Sequence, residues 1–185
     1  MADELFCASG YNAVSAGDIA EAAGVAEPTF YQYFSGRAGI FMAVAGEHAI
    51  AMIASGVREW DPEKGSEGFR EFLDNYVTLY LADQAFFRIW DEATASDAAV
   101  GALRREFFGS FKRRIASAIR RGQASGVLRV DVDFEEMARA AAIGIENYLY
   151  DVVIFDPKSS TPDKEEIVRT LYAVWSAALG FDRGD

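Results

Sequence analysis

The chain is expected to be all-α, and three features of the sequence carry that expectation. Apolar residues recur at helical spacing along nearly its whole length, and glycine, proline or Asp/Ser signals separate the periodic stretches. Strand-like alternation is confined to a few residues around 127–132. The pattern predicts about nine helices: a three-helix amino-terminal group, then a larger helical domain.

Taken in order, a short first helix is expected over residues 2–8, closed before Gly10, which reads as a left-handed cap. Ser15 with Asp18 three residues on has the form of a capping box and opens a second helix running to Ala23. Gly24 and Val25 make a turn, and a third helix covers about 27–33. The fourth follows Ser35-Gly36 and carries Ile40, Phe41, Val44, His48 and Met52 towards Val57. Asp61-Pro62 and Gly65-Ser66 break the chain. Phe69, Phe72, Leu73, Tyr76, Val77 and Tyr80 then form one wide apolar stripe on the fifth helix. A shorter sixth helix, about 83–93, holds Phe86, Phe87, Ile89 and Trp90, and a long seventh, about 98–123, aligns Leu103, Phe107, Phe111, Ile115 and Ala118. Asp133 with Glu136 reads as the cap of the eighth, which runs through Met137, Ala141, Ile145, Tyr148 and Val152. Thr161 followed by Pro162 reads as an N-cap with proline at the first helical position, opening the ninth through Ile167, Leu171, Val174, Trp175 and Ala178.

Composition narrows the functional classes. The 185 residues have ordinary globular proportions, 51% apolar and 25% charged. No apolar run approaches the roughly 20 residues of a membrane helix, and the acidic start lacks the basic n-region of a secretory signal. A single cysteine, Cys7, cannot form an internal disulfide, so the chain reads as cytoplasmic. With one histidine, His48, and no HxxxH, ExxH or CxxC spacing, a metal site is not expected, nor is any cofactor, since GxGxxG, GxxxxGK[ST] and GxSxG are also absent. A formal charge of −11 argues against a surface that tracks nucleic acid over its whole extent, although not against a small local face.

Residues 15–34 supply that face. Two short helices joined at a glycine can place the second in the major groove while the first crosses the backbone. The string Leu5-Phe6, Gly10-Tyr11, Asp18-Ile19-Ala20-Glu21-Ala22-Ala23-Gly24-Val25 and Thr29-Phe30-Tyr31-Gln32-Tyr33-Phe34 closely resembles the amino-terminal helix-turn-helix domain of the TetR family of transcriptional regulators, continuously over residues 1 to about 48. On physical grounds Ile19, Ala22, Val25, Phe30 and Phe34 are expected to pack with Leu5 and Phe6, leaving Thr29, Tyr31, Gln32 and Tyr33 with outward polar tips. The resemblance implies that Ser15, Thr29, Tyr33 and Arg37 hold phosphates and that Glu27, Pro28, Tyr31 and Gln32 face bases; phosphate contacts set register and base contacts set sequence. The bland alternative for each tyrosine is packing.

Three departures from the family pattern stand out. Ala26 replaces a capping serine, Pro28 replaces a small residue in the first turn, and the basic lead-in to the first helix is absent. Residues 1–48 hold one basic side chain, Arg37, against six acidic ones, Asp3, Glu4, Asp18, Glu21, Glu27 and Glu47, a net of −5. Because phosphate neutralisation dominates affinity, this stretch is expected to bind DNA poorly unless the native chain begins upstream of Met1.

From residue 49 to 185 the resemblance implies an effector-binding and dimerisation domain, with 1–48 as the DNA-binding domain. Tyr76, Tyr80, Phe86, Trp90, Phe107 and Phe111, with Asn147 and Tyr148 as polar groups, are expected to line a site for a small apolar or aromatic effector; the alternative is an ordinary core. The last two helices are expected to form a homodimer, Ala138, Ala141, Ala142 and Gly144 allowing close approach and Val174, Trp175 and Ala178 adding an apolar stripe, against in-chain packing as the alternative. Arg104, Arg105, Lys112, Arg113, Arg114, Arg120 and Arg121 read as a solvated helix face. The expected function is a repressor of transcription released by the effector, acting on double-stranded operator DNA without catalysis. The rivals are a small-molecule-binding helical dimer with weakened DNA binding, and an enzyme whose only support is Asp91 and Glu92 near aromatic residues.

Overall fold

The computed structural model describes residues 1–54, 60–155 and 163–181, with backbone only for 51–54. Among the described residues there are nine α-helices and no strand: α1 (Ala2–Ser9), α2 (Ala16–Ala22), α3 (Glu27–Tyr33), α4 (Arg37–Ala54), α5 (Gly65–Ala82), α6 (Gln84–Ser96), α7 (Ala98–Ala124), α8 (Phe134–Leu149) and α9 (Lys164–Leu179). A 3-10 turn, Pro62–Lys64, precedes α5, and a π-helical turn, Tyr150–Phe155, continues from α8. No described helix is long and apolar enough to cross a membrane. No described group of three or more His, Cys, Asp or Glu residues is placed to hold a metal ion.

The described chain forms two compact units. The first contains residues 1–54 and 83–107, and the second residues 55–82 and 108–185. The first is centred on Phe6, Tyr11, Val14, Ile19, Phe30, Phe41, Phe86, Ile89 and Trp90, all buried. Phe6 stacks beside Tyr11 at 5.7 Å, and both meet the edge of Phe41, at 5.3 and 5.2 Å. α6 thus supplies much of the core against which the short helices α1 to α3 are held. That support is needed, because isolated helices of seven or eight residues are not stable in water. In the second unit α9 packs along α5. Trp60, Phe69 and Phe72 form an aromatic group beside that pair, and Ile115, Ile119, Ile145 and Leu149 are buried from α7 and α8.

Several local expectations change on inspection. Gly10 has a positive φ of 86° with an extended ψ of 158°, so it turns the chain without adopting the left-handed helical cap. A side chain there would come within 3.1 Å of the Glu92 carboxylate. Ala22 and Val25 were expected in the three-helix core and are exposed, Val25 to 41%: Ala22 is the last residue of α2, and Val25 lies in the turn before α3. The segment around 127–132 is bent rather than extended, held by the Gln123 side-chain amide donating to the carbonyls of Arg129 and Val132, each at 2.9 Å. Thr161 and Pro162 lie outside the described residues, as does Val57. The N-cap of α9 is Asp163, whose carboxylate accepts the Glu165 amide at 3.0 Å. Asp133 caps α8 as the sequence suggests, accepting from the Glu135 and Glu136 amides.

On α8 and α9 the small residues divide. Ala138, Ala141 and Ala142 are buried within the chain, and Gly144 lies so near Trp175 that an added Cβ would meet its ring at 2.5 Å. In-chain packing therefore uses these four residues. The outward stripes of the two helices carry Arg139, Ala140, Ile143 and Asn147 on α8, and Arg169, Ala173, Val174 and Ala177 on α9. Ile143 is 42% exposed and Val174 57%.

Candidate nucleic-acid interface

The second and third helices are set by local chemistry that the sequence displays. Ser15 is the N-cap of α2. Its hydroxyl accepts the Asp18 amide at 3.1 Å, and the Asp18 carboxylate accepts from the Ser15 amide at 2.8 Å, completing a capping box. The Ser15 hydroxyl also donates to Asp18 at 2.6 Å, and these bonds hold the Asp18 carboxyl below its ordinary value. α3 begins after Ala26, which offers no capping side chain, and Pro28 sits in the first turn, where its missing N–H is not needed.

α3 buries one side chain, Phe30, packed at 5.4 Å from Phe34. Glu27, Pro28, Thr29, Tyr31, Gln32 and Tyr33 are all exposed. Ser15 is exposed as well, so seven of the eight expected DNA contacts stand at the surface of the first unit. Arg37 is different. Its guanidinium lies 4.3 Å over the Tyr11 ring and donates to the carbonyls of Asn12 and Val14, at 3.1 and 3.4 Å. The residue expected to hold a phosphate is thus already engaged in fixing the α1–α2 connection; a guanidinium has five N–H donors, so this does not exhaust its capacity.

That connection depends on a residue that sequence reasoning set aside. Glu92, considered only as a catalytic carboxylate, accepts the backbone amides of Tyr11 and Asn12, at 3.1 and 2.9 Å. Asn12 also donates through its side chain to Ser96 at 2.9 Å. Asp91, the other carboxylate of the enzyme reading, pairs with Arg104 at 2.7 Å. Both acids therefore have structural employment. Of the remaining basic run, Arg105, Arg113, Arg114, Arg120 and Arg121 are exposed, with Arg121 reaching the Trp60 carbonyl at 3.2 Å.

Six of the eight expected effector contacts fall into two groups, one in each unit. Phe86, Trp90 and Phe107 meet within the first unit, with Trp90 at 5.0 Å from Phe86 and 5.4 Å from Phe107 in edge geometry. The Trp90 indole N–H and the Thr94 hydroxyl, one helical turn apart on α6, are buried there without a partner among the described residues. In the second unit Tyr76 stacks on Phe111 at 5.0 Å, and its hydroxyl donates to Glu146 at 2.6 Å; the Tyr80 hydroxyl reaches the other Glu146 oxygen at 3.5 Å. Burial, reinforced by the Glu146 charge, pushes the Tyr76 hydroxyl well above the usual tyrosine value. Asn147 does not join this group. It is exposed, and Tyr148 is half-buried. One residue along an α-helix is a rotation of about 100°, which turns Asn147 outward and gives Glu146 the inward place.

Comparison with known proteins agrees with this fold. Residues 1–44 match the family described as "Bacterial regulatory proteins, tetR family". Over 86 residues the chain is 36% identical to the HTH-type transcriptional activator FasR of Mycolicibacterium smegmatis, a match covering 46% of this chain and 35% of that relative's length. A putative TetR-family transcriptional regulator from Syntrophomonas wolfei superposes with a TM-score of 0.75 at 23% identity, covering 99% of this chain and 92% of that one. The Flavonoid-responsive Regulator FrrA gives 0.69 at 24% identity, covering 96% and 92%. At these identities the structural matches establish the fold.

Proposed function

We propose that this chain, whose amino-terminal domain belongs to the TetR family of bacterial regulatory proteins, is a homodimeric, cytoplasmic transcriptional regulator that reads operator DNA through α3 and responds to a small apolar or aromatic effector. The observation that carries the proposal is the make-up of α3: one buried anchor, Phe30, and six exposed residues of which Thr29, Tyr31, Gln32 and Tyr33 are hydrogen-bonding. A seven-residue helix has no packing use for such a face. In a major groove Gln32 can pair with an adenine edge, while Ser15, Thr29 and Tyr33 reach phosphates and Glu27, Pro28 and Tyr31 lie towards bases. Arg37 is assigned a mixed role, bracing the α1–α2 turn and offering its remaining N–H groups to a phosphate.

DNA contact is assigned to residues 1–48, and effector binding and dimerisation to 49–185. The outward stripes of α8 and α9, with Ile143 and Val174 exposed, support a two-fold interface. Two recognition helices must then lie about 34 Å apart to enter successive major grooves. Each unit by itself offers the effector a place: in the first, Trp90 with Phe86 and Phe107 gives aromatic walls and a donor without a partner among the described residues, and in the second, Tyr76 and Tyr80 with Phe111 and Glu146 give an aromatic and polar group. Asn147 and Tyr148 are the weakest members of the set. The working mechanism is repression released by ligand: effector binds one conformation more tightly and draws the population away from the DNA-competent spacing. A tenfold loss of operator affinity needs about 1.4 kcal/mol of coupling. Activation uses the same coupling with the opposite sign, and FasR is named an activator.

Fluorescence anisotropy of the chain on labelled DNA from upstream of its own coding sequence, over a salt series, tests the reading. Specific binding with a negative salt slope is expected, and Gln32→Ala should weaken it about tenfold or more, since a good base pair contact contributes about 1–3 kcal/mol. Absence of specific binding, both for this chain and for one carrying upstream codons, would favour the second reading, a ligand-binding dimer without a DNA role. The net charge of −5 over residues 1–48 is what keeps that reading in play.

A further inference from the structure

His48 is the sole histidine of the chain, and it sits among charged groups that neither DNA contact nor effector binding employs. Within the first unit its Nε2 lies 3.2 Å from Asp3 on α1, and its Nδ1 lies 2.5 Å from Asp83 at the N-cap of α6. Its ring lies flat on Phe86, centroids 3.8 Å apart at 7°. A neutral imidazole has one N–H and one lone pair, so it can donate to only one of two carboxylates. The imidazolium donates to both, and an aromatic face beneath it favours the cation further. The residue geometry therefore selects the protonated ring.

Asp83 gives this arrangement a second state. Aspartate at an N-cap ordinarily accepts from the first helical amides, yet the Asp83 side chain makes no capping bond to α6 and is turned to His48 instead. We propose that Asp3, His48 and Asp83 form a proton-gated clasp: the imidazolium ties α1 to the start of α6, and loss of its proton frees Asp83 to cap α6. Among the described residues the ionisable groups facing the ring are Asp3 and Asp83, with Cys7 one turn along α1 from Asp3; Glu47, beside His48 on α4, is exposed. The Cys7 thiol contacts Asp3 at 3.5 Å, and desolvation followed by the Asp3 charge pushes it up to about 11, so it stays neutral while His48 titrates. The Asp83 hydrogen bond outweighs partial burial and raises His48 above its ordinary 6.5. Stabilisation from such a group is complete below the unfolded value and is lost as pH rises through the raised folded value. Because the same unit presents α3, the order of that unit becomes dependent on pH.

The test uses the full chain, isotope-labelled, in an NMR titration from about pH 5 to 9 without DNA, so that its outcome is independent of the regulator reading. A single histidine makes the imidazole signal unambiguous. The expected result is a His48 midpoint above 6.5, shared by amides of α1 and of Ala85 and Phe86, with one of the latter two moving downfield at high pH as Asp83 turns to it. Asp83→Asn, which keeps a capping side chain but no charge, should lower the midpoint, and His48→Gln should abolish the shared transition. A wild-type midpoint at or below 6.5, or amides of α1 and α6 that ignore it, overturns the proposal whether or not the variants fold.

Discussion

Tyr31 and Tyr33 on α3 and Tyr76 and Tyr80 on α5 are the same residue type put to opposite uses. The first pair is 55% and 77% exposed; the second is 6% and 1% exposed. Tyr76 and Tyr80 are four residues apart on an 18-residue helix, so they share one face, and that face packs against further helices of the second unit. Tyr31 and Tyr33 are two apart on a seven-residue helix whose one buried side chain is Phe30. Under the proposed function the exposed pair is left free for contact with DNA, whereas the pair tied to a carboxylate belongs to an ordered interior.

The comparison is broken most severely by truncation. Tyr76→Ala should destabilise the protein by about 3–5 kcal/mol in a denaturant melt, the usual cost of emptying a buried aromatic site. Tyr33→Ala should stay within about 0.5 kcal/mol of the parent while weakening DNA binding. If both variants lose several kcal/mol, the exposed pair belongs to the fold and its proposed role is withdrawn.

Removing only the hydroxyl sharpens the same contrast. Tyr76→Phe leaves the ring stacked on Phe111 but deprives Glu146 of its 2.6 Å donor, and a hydrogen bond to a charged group contributes about 1.5–3 kcal/mol. Tyr31→Phe should be neutral in stability. An equal and negligible change at both positions would mean that Glu146 finds a replacement donor without loss.

A smaller effect comes from the helix that precedes α3. Ser15→Ala removes the acceptor for the Asp18 amide and should cost about 1 kcal/mol, read as a lower thermal midpoint. It should also return the Asp18 carboxyl towards its ordinary value, since Ser15 supplies the bonds that depress it.

Ser15 and Asp18 illustrate what the amino-acid sequence discloses. A cap is a three-residue pattern, and periodic apolar stripes such as Phe69 to Tyr80 are equally local, so the helices and the exposed face of α3 were legible. Contacts between distant segments were not. Nothing near Tyr11 points to Glu92, 81 residues away, yet Glu92 holds the turn before α2. The exchange of Asn147 for Glu146 turns on helical phase, which a stripe of mixed small and polar residues leaves undefined to within one position. In the sequence His48 is one residue along the fourth helix and too few ligands for a metal. Its significance lies in Asp3 and Asp83, brought to it from opposite directions along the chain.

The gentlest perturbation tests whether α3 was left weak at its start. Ala26 sits at the N-cap with extended backbone angles, φ −68° and ψ 141°, which a capping serine adopts without strain. Ala26→Ser should therefore gain about 0.5 kcal/mol, at the low end for caps because Pro28 already removes one amide from the first turn. The gain should appear as a raised thermal midpoint, and DNA affinity should hold or rise, since the polar face from Thr29 to Tyr33 is unchanged. A stabilised variant that binds DNA less well would show instead that the start of α3 must yield on contact, so that the uncapped alanine serves adaptation of the helix to its groove.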